Sequence, residues 1–208
     1  MSSKISVNAQ SSICVKSEKT IWFDPFKIES ESNDADVIFI THDHFDHFSP
    51  EDISKVSNEN TAFVFPESMQ STVKKQGYGS NILFVNPGKE YDFAGIHFET
   101  VPAYNIGKPF HQKENGFVGY VIEMNSERIY VSGDTDATDE VRNVKCDIAL
   151  LPVGGYYTMN TAEAAECVNV MKPKKAVPTH YGDVVGKKSD GEEFKQLVDK
   201  NIKVEIIL

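Results

Sequence analysis

The sequence lacks paired cysteines and long apolar runs, and each absence excludes a class of protein. Its only cysteines, Cys14, Cys146 and Cys167, show no CxxC or other paired spacing, which predicts buried free thiols in a reducing compartment. No apolar run approaches the roughly 18 residues that a membrane helix needs. The N-terminal segment, residues 1–13, has no basic region followed by an apolar one. We therefore expect a cytoplasmic protein that does not enter a membrane.

Positive charge is also scarce. The chain has 21 Lys and Arg residues against 31 Asp and Glu residues, with a net charge of −10 and no basic cluster. This balance argues against binding to nucleic acids or anionic membranes. It leaves an anionic substrate possible, because bound divalent cations can invert the local field. A GxSxG serine nucleophile motif is absent as well. We expect a small-molecule substrate, and the sequence contains nothing that specifies an oligomeric state.

What the sequence does have is enough apolar material for one domain, residues 1–208, with 40% hydrophobic residues, 13 Phe and 8 Tyr. Apolar patterns and turn residues predict two strand-rich runs, each followed by helices. Such an order fits two sheets packed face to face with helices outside, an α/β or α+β sandwich. The predicted strands are 12–16, 20–23, 36–40, 62–65, 82–85, 90–93, 96–101, 117–123, 128–132, 148–153, 175–179 and 203–207; the predicted helices begin at 49–52 or cover 67–76, 160–171 and 190–200.

The most informative stretch is a run of histidines and aspartates that directly follows the apolar segment 36–40. It contains His42, His44, Asp46 and His47. So many polar groups at one place are costly in a folded protein unless a cation is bound among them. Imidazole and carboxylate together suit Zn²⁺, Mn²⁺ and Fe²⁺. The run therefore predicts a metal site at the end of a buried strand.

Two further polar residues follow apolar strands later in the chain. Asp134 comes after Gly133 at the end of the strand 128–132, and His180 follows the strand 175–179. Glycine before the aspartate leaves room for a close backbone approach. A metal site needs ligands from more than one position in the chain, and both carboxylate and imidazole suit it. Asp134 and His180 are the candidates for these positions.

The pattern His42-x-His44-x-Asp46-His47 resembles the signature of the metallo-β-lactamase superfamily, and the resemblance covers roughly residues 12–208. It looks most like the small Zn-dependent hydrolases of this superfamily, a branch that is similar, at a distance, to lactonases and phospholipase D-like members. The resemblance implies an α+β fold, a four-layered αβ/βα sandwich with its metal site at one edge between the sheets. It also implies that Asp134 bridges two metal ions and that His180 binds the second of them.

One position departs from the family pattern. The family usually has another histidine between the first motif and the Gly-Asp motif, just after a strand, and the matching segment 101–105 has none. Either His111, six residues beyond Asn105 in the loop 102–116, supplies the missing imidazole, or Asn105 coordinates weakly or not at all; we favour His111. Asp24, in an Asp-Pro pair at a strand end, either holds a ligand histidine by a hydrogen bond or starts a turn. His97 is expected to be an ordinary strand residue.

The resemblance implies a hydrolase that uses a hydroxide held between two divalent cations, of which Zn²⁺ is preferred and Mn²⁺ or Fe²⁺ are alternatives. In this assignment Asp46 and Asp134 are the catalytic residues: Asp46 orients the hydroxide and carries its proton to the leaving group. The substrate is an ester, lactone, amide or phosphodiester. The alternatives are a di-iron redox or sensing protein and a catalytically degenerate metal-binding protein on the same fold. The implied ligands are His42, His44 and His111 for the first metal, Asp46, His47 and His180 for the second, and Asp134 for both.

Overall fold

Two β-sheets form the frame of the molecule in the computed structural model, which describes residues 3–208. The six-stranded sheet has the order β1-β2-β3-β4-β5-β6 and the seven-stranded sheet the order β13-β12-β11-β10-β9-β8-β7. Their strands are β1 (Lys4–Ala9), β2 (Ser12–Lys16), β3 (Thr20–Phe23), β4 (Val37–Phe39), β5 (Ala62–Pro66), β6 (Ile82–Val85), β7 (Glu90–Phe93), β8 (Ile96–Pro102), β9 (Val118–Met124), β10 (Glu127–Val131), β11 (Ile148–Pro152), β12 (Lys175–Thr179) and β13 (Lys203–Val204).

Each sheet begins with antiparallel strands and continues with parallel ones. The pairs from β3 to β6 and from β10 to β13 are parallel, and parallel neighbours need crossover connections, which helices supply in most of these cases. The helices are α1 (Pro50–Val56), α2 (Gln70–Gln76), α3 (Asp139–Arg142), α4 (Thr161–Met171) and α5 (Asp190–Leu197). Since the carboxyl ends of parallel strands lie at one edge of a sheet, both sheets offer their loops there for a site.

The hydrophobic core lies between the two sheets. Phe39 from the first sheet contacts Phe98 and Tyr120 from the second, with ring centroids 5.0 and 4.9 Å apart. Two further apolar clusters lie on the outer faces, one beneath α1 and α2 and the other beneath α3, α4 and α5. The order of layers is therefore helix, sheet, sheet, helix. This confirms the predicted α+β fold, a four-layered αβ/βα sandwich.

The helix ends follow the predicted signals. Ser49 caps α1, Asn160 and Glu163 form the capping box of α4, and Gly77 ends α2 in the left-handed conformation. All three cysteines are free in the described residues, and Cys146 is only half-buried. None of the helices within residues 3–208 has the length and apolar character that crossing a membrane requires.

The structure corrects the sequence prediction at several places, and the helix predicted over 67–76 begins with a 3₁₀ turn, Glu67–Met69, before α2. Strand β1 was not predicted, because it is a polar edge strand that is held by its pairing with β2. Helix α3 is a single turn capped by Thr138 and is too short to show a period. Helix α5 ends at Leu197 rather than at residue 200, because Val198 is extended and packs into the outer cluster. Strand β13 is likewise limited to two residues.

Candidate metal centre

Four chain segments bring their polar side chains together between the sheets. The histidine run follows β4 of the first sheet, whereas Asp134 and His180 follow β10 and β12 of the second. The fourth segment is the loop between β8 and β9, which carries His111. Every residue predicted for the metal site lies in this group. His97 does not: it is on β8, partly exposed, and its Nδ1 lies 3.0 Å from Asp92 Oδ1.

The first cluster consists of His42, His44 and His111. The Nδ1 atom of His44 lies 3.1 Å from the Nε2 atom of His42 and 3.1 Å from the Nε2 atom of His111. His42 and His111 are buried, whereas His44 is exposed. Three imidazole nitrogens thus converge on one point from two separate segments of the chain.

The second cluster consists of Asp46, His47 and His180, all of which are buried. The Oδ2 atom of Asp46 lies 3.2 Å from the Nε2 atom of His180 and 3.8 Å from the Nε2 atom of His47. Two imidazole nitrogens and a carboxylate oxygen converge here.

The carboxylate of Asp134 lies between the two clusters. Its Oδ2 atom is 3.4 Å from His111 Nε2 in the first cluster. Its Oδ1 atom is 3.2 Å from His47 Nε2 and 3.4 Å from His180 Nε2 in the second. Each oxygen of one carboxylate therefore faces a different cluster, which is the arrangement of a bridging ligand.

The donor atoms fit a divalent cation at each cluster. A tetrahedral site with metal–ligand bonds of about 2.0–2.1 Å places neighbouring ligand atoms about 3.3 Å apart, and the separations here run from 3.1 to 3.8 Å. Several of the same atoms are buried without a hydrogen-bond partner, namely His47 Nε2, His180 Nε2 and Asp134 Oδ1. Unpartnered buried polar atoms are costly, and a bound cation would remove that cost.

Asp24 and Thr41 fix the histidines of the run from behind. The Oδ2 atom of Asp24 lies 2.7 Å from His47 Nδ1, and its two oxygens accept hydrogen bonds from the Thr41 amide and hydroxyl. The Thr41 hydroxyl also lies 2.9 Å from His42 Nδ1. These contacts point both Nε2 atoms towards the clusters. Of the two interpretations of Asp24, the structure shows the contact with a histidine. Thr41 was missed, since a threonine before a histidine carries no specific signal.

The loop between β8 and β9 places His111, rather than Asn105, at the missing position. The His111 Nδ1 atom lies 3.2 Å from the Tyr157 carbonyl oxygen, so its Nε2 atom faces the first cluster. Asn105 lies on the other side of the ring: its amide nitrogen donates to the same carbonyl at 2.6 Å and lies 3.2 Å from His111 Nδ1. The backbone contact of Tyr157 with His111 was not predicted from the sequence, because the two residues are 46 positions apart.

Burial and neighbouring charges set the protonation states of the site. Burial, together with the nearby His47, lowers the pKa of His42 well below its usual value, and burial also lowers the pKa of His111. Both rings are therefore neutral near pH 7, the form that binds metals. Burial opposes ionisation of Asp134, but His180 and His47 lower its pKa well below the usual range. For His47 the effect of burial is outweighed by Asp134 and Asp24, which raise its pKa.

Two glycines allow the segments to approach one another. A Cβ atom on Gly133, whose φ is +63°, would lie 2.9 Å from the Thr41 Cβ atom. A Cβ atom on Gly154 would lie 2.3 Å from the His180 carbonyl oxygen. In addition, His111 and His180 adopt positive φ values of 49° and 56°. Such conformations are uncommon for residues other than glycine and often occur at functional sites.

A cavity of about 300 Å³ opens directly onto the two clusters. Its volume is at the small end of the range for ligand pockets. The side chains at its inner end belong to the clusters, and its other residues come from four loops. The lining residues are His44, Phe45, Asp46, Phe110, His111, Asp134, Tyr157, His180 and Val184.

The fold consists of two packed sheets with clusters of histidine and aspartate side chains at their common edge. These features are those of the metallo-β-lactamase fold. The chain belongs to the β-lactamase superfamily: residues 6–180 match the family model described as the beta-lactamase superfamily domain. It is 33% identical over 191 residues to the UPF0173 metal-dependent hydrolase of Thermoplasma acidophilum, which covers 86% of this chain and 84% of that protein. The predicted superfamily is confirmed.

Solved structures agree with this assignment. A protein assigned as a metal-dependent hydrolase from Parabacteroides distasonis superposes with a TM-score of 0.83 at 30% identity, covering 99% of this chain and 92% of that one. CmlA, a diiron β-hydroxylase from Streptomyces venezuelae, superposes with a TM-score of 0.79 over 99% of this chain and 52% of that one. At 12% identity, the likeness to CmlA shows the fold alone.

Proposed function

We propose that this protein is a metal-dependent hydrolase that binds two divalent cations and cleaves a small-molecule ester, lactone, amide or phosphodiester. The observation that carries this proposal is the position of Asp134, whose two oxygens lie 3.4 and 3.2 Å from imidazole nitrogens of different clusters. The names of the relatives, metal-dependent hydrolases, support the same reaction class.

The two clusters divide the ligands between the cations. We assign His42, His44 and His111 to the first ion and Asp46, His47 and His180 to the second, with Asp134 bound to both. Five of these seven ligands are imidazoles, and nitrogen-rich sets favour Zn²⁺, although Fe²⁺ and Mn²⁺ also accept imidazole and carboxylate. Zn²⁺ is therefore the ion that we propose first.

Two divalent cations bound at these residues would supply an activated water and would polarise the oxygen of the bond to be cleaved. The residues of the chain prepare for this step. Asp134 holds the two clusters in a fixed relation, and Asp24 keeps His47 in one orientation. Asp46 has a carboxylate at the wall of the cavity, where it can orient the attacking water and carry its proton to the leaving group. No serine or cysteine nucleophile is needed.

The first test is the metal content of the purified full-length chain, measured by elemental analysis after reconstitution with Zn²⁺. We expect about two ions per chain in the wild type and in the control His97→Ala, which removes a histidine outside the centre. Asp134→Asn should lower the content clearly. A wild type that binds no metal, or an Asp134→Asn variant with unchanged content, would contradict the proposed site.

The second test is turnover of a panel of simple esters, lactones, amides and phosphodiesters by the reconstituted protein. Hydrolysis of at least one class, lost in Asp46→Asn but kept in Asp92→Asn, supports the proposed reaction. Two bound ions without any turnover would favour a metal-binding protein that has lost catalysis. Two iron ions with a reversible redox signal would favour the alternative of a di-iron redox protein.

A further inference from the structure

The outer part of the cavity over the metal centre has an apolar wall. Its members are Phe45, Phe110, Tyr157 and Val184, and these four residues are called the apolar wall below. Phe45 follows His44 in the histidine run, whereas Phe110 precedes His111, so both segments that carry first-cluster ligands also contribute to the wall. The wall therefore lies within reach of any group that is bound at the cations.

The aromatic members of the wall are braced by other rings. The Phe110 and Tyr157 rings are 4.7 Å apart in an edge-on arrangement, and Tyr156 packs on Tyr157 at 4.6 Å. Phe45 contacts Phe26 at 6.0 Å. Even so, Phe45 and Tyr156 remain 67% and 74% exposed. Exposed rings around a concave site are a common feature of ligand pockets, because burying them on binding is favourable.

Cationic side chains are missing from the cavity. Within residues 3–208, neither Lys nor Arg is among its lining residues. The nearby Lys108 is engaged elsewhere, with its Nζ atom 2.5 Å from Asp136 Oδ1 and 2.7 Å from the Thr158 carbonyl oxygen. Lys27 is paired with Asp183. A negatively charged substituent that lies against the apolar wall, away from the cations, would therefore lose its hydration without gaining a partner.

We infer that the substrate carries an uncharged aromatic or branched alkyl substituent that binds against the apolar wall, and an ester is the substrate type used to test it. The inference rests on the proposed hydrolase function. In the reaction, the acyl carbon–oxygen bond breaks, water adds its hydroxyl to the acyl carbon, and its proton passes to the leaving alcohol. Since the volume is about 300 Å³, one ring and the ester group are a suitable size.

Three methyl esters with the same leaving group test this inference by turnover on the reconstituted full-length chain. They are methyl acetate, methyl phenylacetate and methyl (4-carboxyphenyl)acetate. We expect kcat/KM for methyl phenylacetate to exceed each of the other two by about 10-fold or more, the usual range for an apolar group in a matching pocket. Equal values for all three esters, or a preference for the charged ring, would overturn the inference.

Variants of the apolar wall locate the effect. The ratio to measure is kcat/KM for methyl phenylacetate divided by kcat/KM for methyl acetate. Phe110→Ala should lower this ratio by about 10-fold, and Val184→Ala should lower it less. Leu197→Ala is the matched control, because it removes a side chain that is also exposed, at 46%, outside the cavity. An unchanged ratio in both wall variants would overturn the inference.

A binding measurement separates this inference from the proposed function. Acetohydroxamic acid, phenylacetohydroxamic acid and its 4-carboxy derivative carry the same metal-binding group and differ only in the substituent. By calorimetry on the metal-loaded protein, phenylacetohydroxamic acid should bind about 10-fold more tightly than the other two, with the advantage lost in Phe110→Ala. This binding pattern without any ester turnover would contradict the proposed hydrolase function but support the binding of an apolar substituent at the wall. Equal affinities of the three compounds would contradict that binding.

Discussion

The first cluster takes His111 from a long loop and leaves His44 exposed, whereas the second cluster is buried throughout and all of its members lie in the histidine run or directly after β12. The supports differ in the same way. His47 is held by the buried carboxylate of Asp24, while His111 is held by a backbone carbonyl of another loop. The second cluster is therefore the more rigid of the two, and the first is the one that can adjust to a ligand.

The largest expected effect comes from removing one histidine from each cluster and comparing the two losses. His180→Ala removes one of the two imidazoles of the second cluster, so we expect it to weaken binding of one ion by about 100-fold or more, beyond the 10–100-fold that indirect contacts are worth. His111→Ala should weaken binding less, because the first cluster is open to water at His44. Titration of the metal-free variants with Zn²⁺ measures both, and His97→Ala serves as the control. A greater loss in His111→Ala than in His180→Ala would contradict the comparison.

Asp24→Asn tests the support of the second cluster without removing a ligand. The change leaves the size of the side chain nearly unaltered but removes the charge that stabilises the His47 N–H group, so we expect metal affinity to fall by about 10–100-fold. The matched control is Asp92→Asn, which changes the same atom beside His97 at the surface. Zinc titration followed by calorimetry gives the affinity. An Asp24→Asn affinity equal to that of the control would show that the contact has no effect on binding.

Gly154→Ala tests how closely the backbone of His180, a member of the second cluster, packs against residue 154. The added Cβ atom would lie 2.3 Å from the His180 carbonyl oxygen, so the segment that carries His180 must shift. Overpacking of this kind costs about 1–3 kcal/mol, and we expect a loss of that size in urea unfolding together with weaker zinc binding. Gly79→Ala is the control, because nothing lies within 4 Å of its added atom. Equal stability of the two variants would contradict the close contact.

The difference between the clusters also explains what could be predicted from the sequence. Asp46, His47, Asp134 and His180 follow apolar strands, and a strand end fixes where its next residues lie. His111 follows no strand directly. Its place depends on a positive φ of 49° and on the hydrogen bond from the Asn105 amide to its carbonyl oxygen. Those features are set by tertiary contacts, so the sequence left Asn105 and His111 as alternatives.

The fold shows the same division. Capping residues and buried strands were predictable because their signals lie within a few neighbouring residues, as for Asn160 and Glu163 at the start of α4. Strand β1 was not, since its stability comes from pairing with β2 rather than from its own polar sequence. The bracing of Thr41 against His42 and Asp24 was equally hidden, because it joins the ends of two different strands.

The smallest expected effect concerns the loop of the first cluster. Glu140 on α3 accepts hydrogen bonds from Lys113 and from the Tyr104 hydroxyl, both at 2.8 Å, and so ties this loop to α3. The contact with Lys113 lowers the pKa of Glu140 from 4.5 to about 2. Because the folded pKa is the lower one, the contact stabilises the protein above about pH 4.5 and loses this effect as the pH falls towards 2.

Glu140→Gln should therefore lower the free energy of unfolding by at most about 1 kcal/mol at pH 7, as expected for a partly exposed ion pair. The difference from wild type should shrink at pH 3, which urea unfolding at the two pH values measures. The control is Glu166→Gln: Glu166 is an exposed residue of α4 that pairs with Arg142 of α3. The loop carries His111 of the first cluster and no member of the second. Glu140→Gln should therefore weaken the binding of the first ion only. A pH-independent difference, or an effect on the second ion, would contradict this role of the loop.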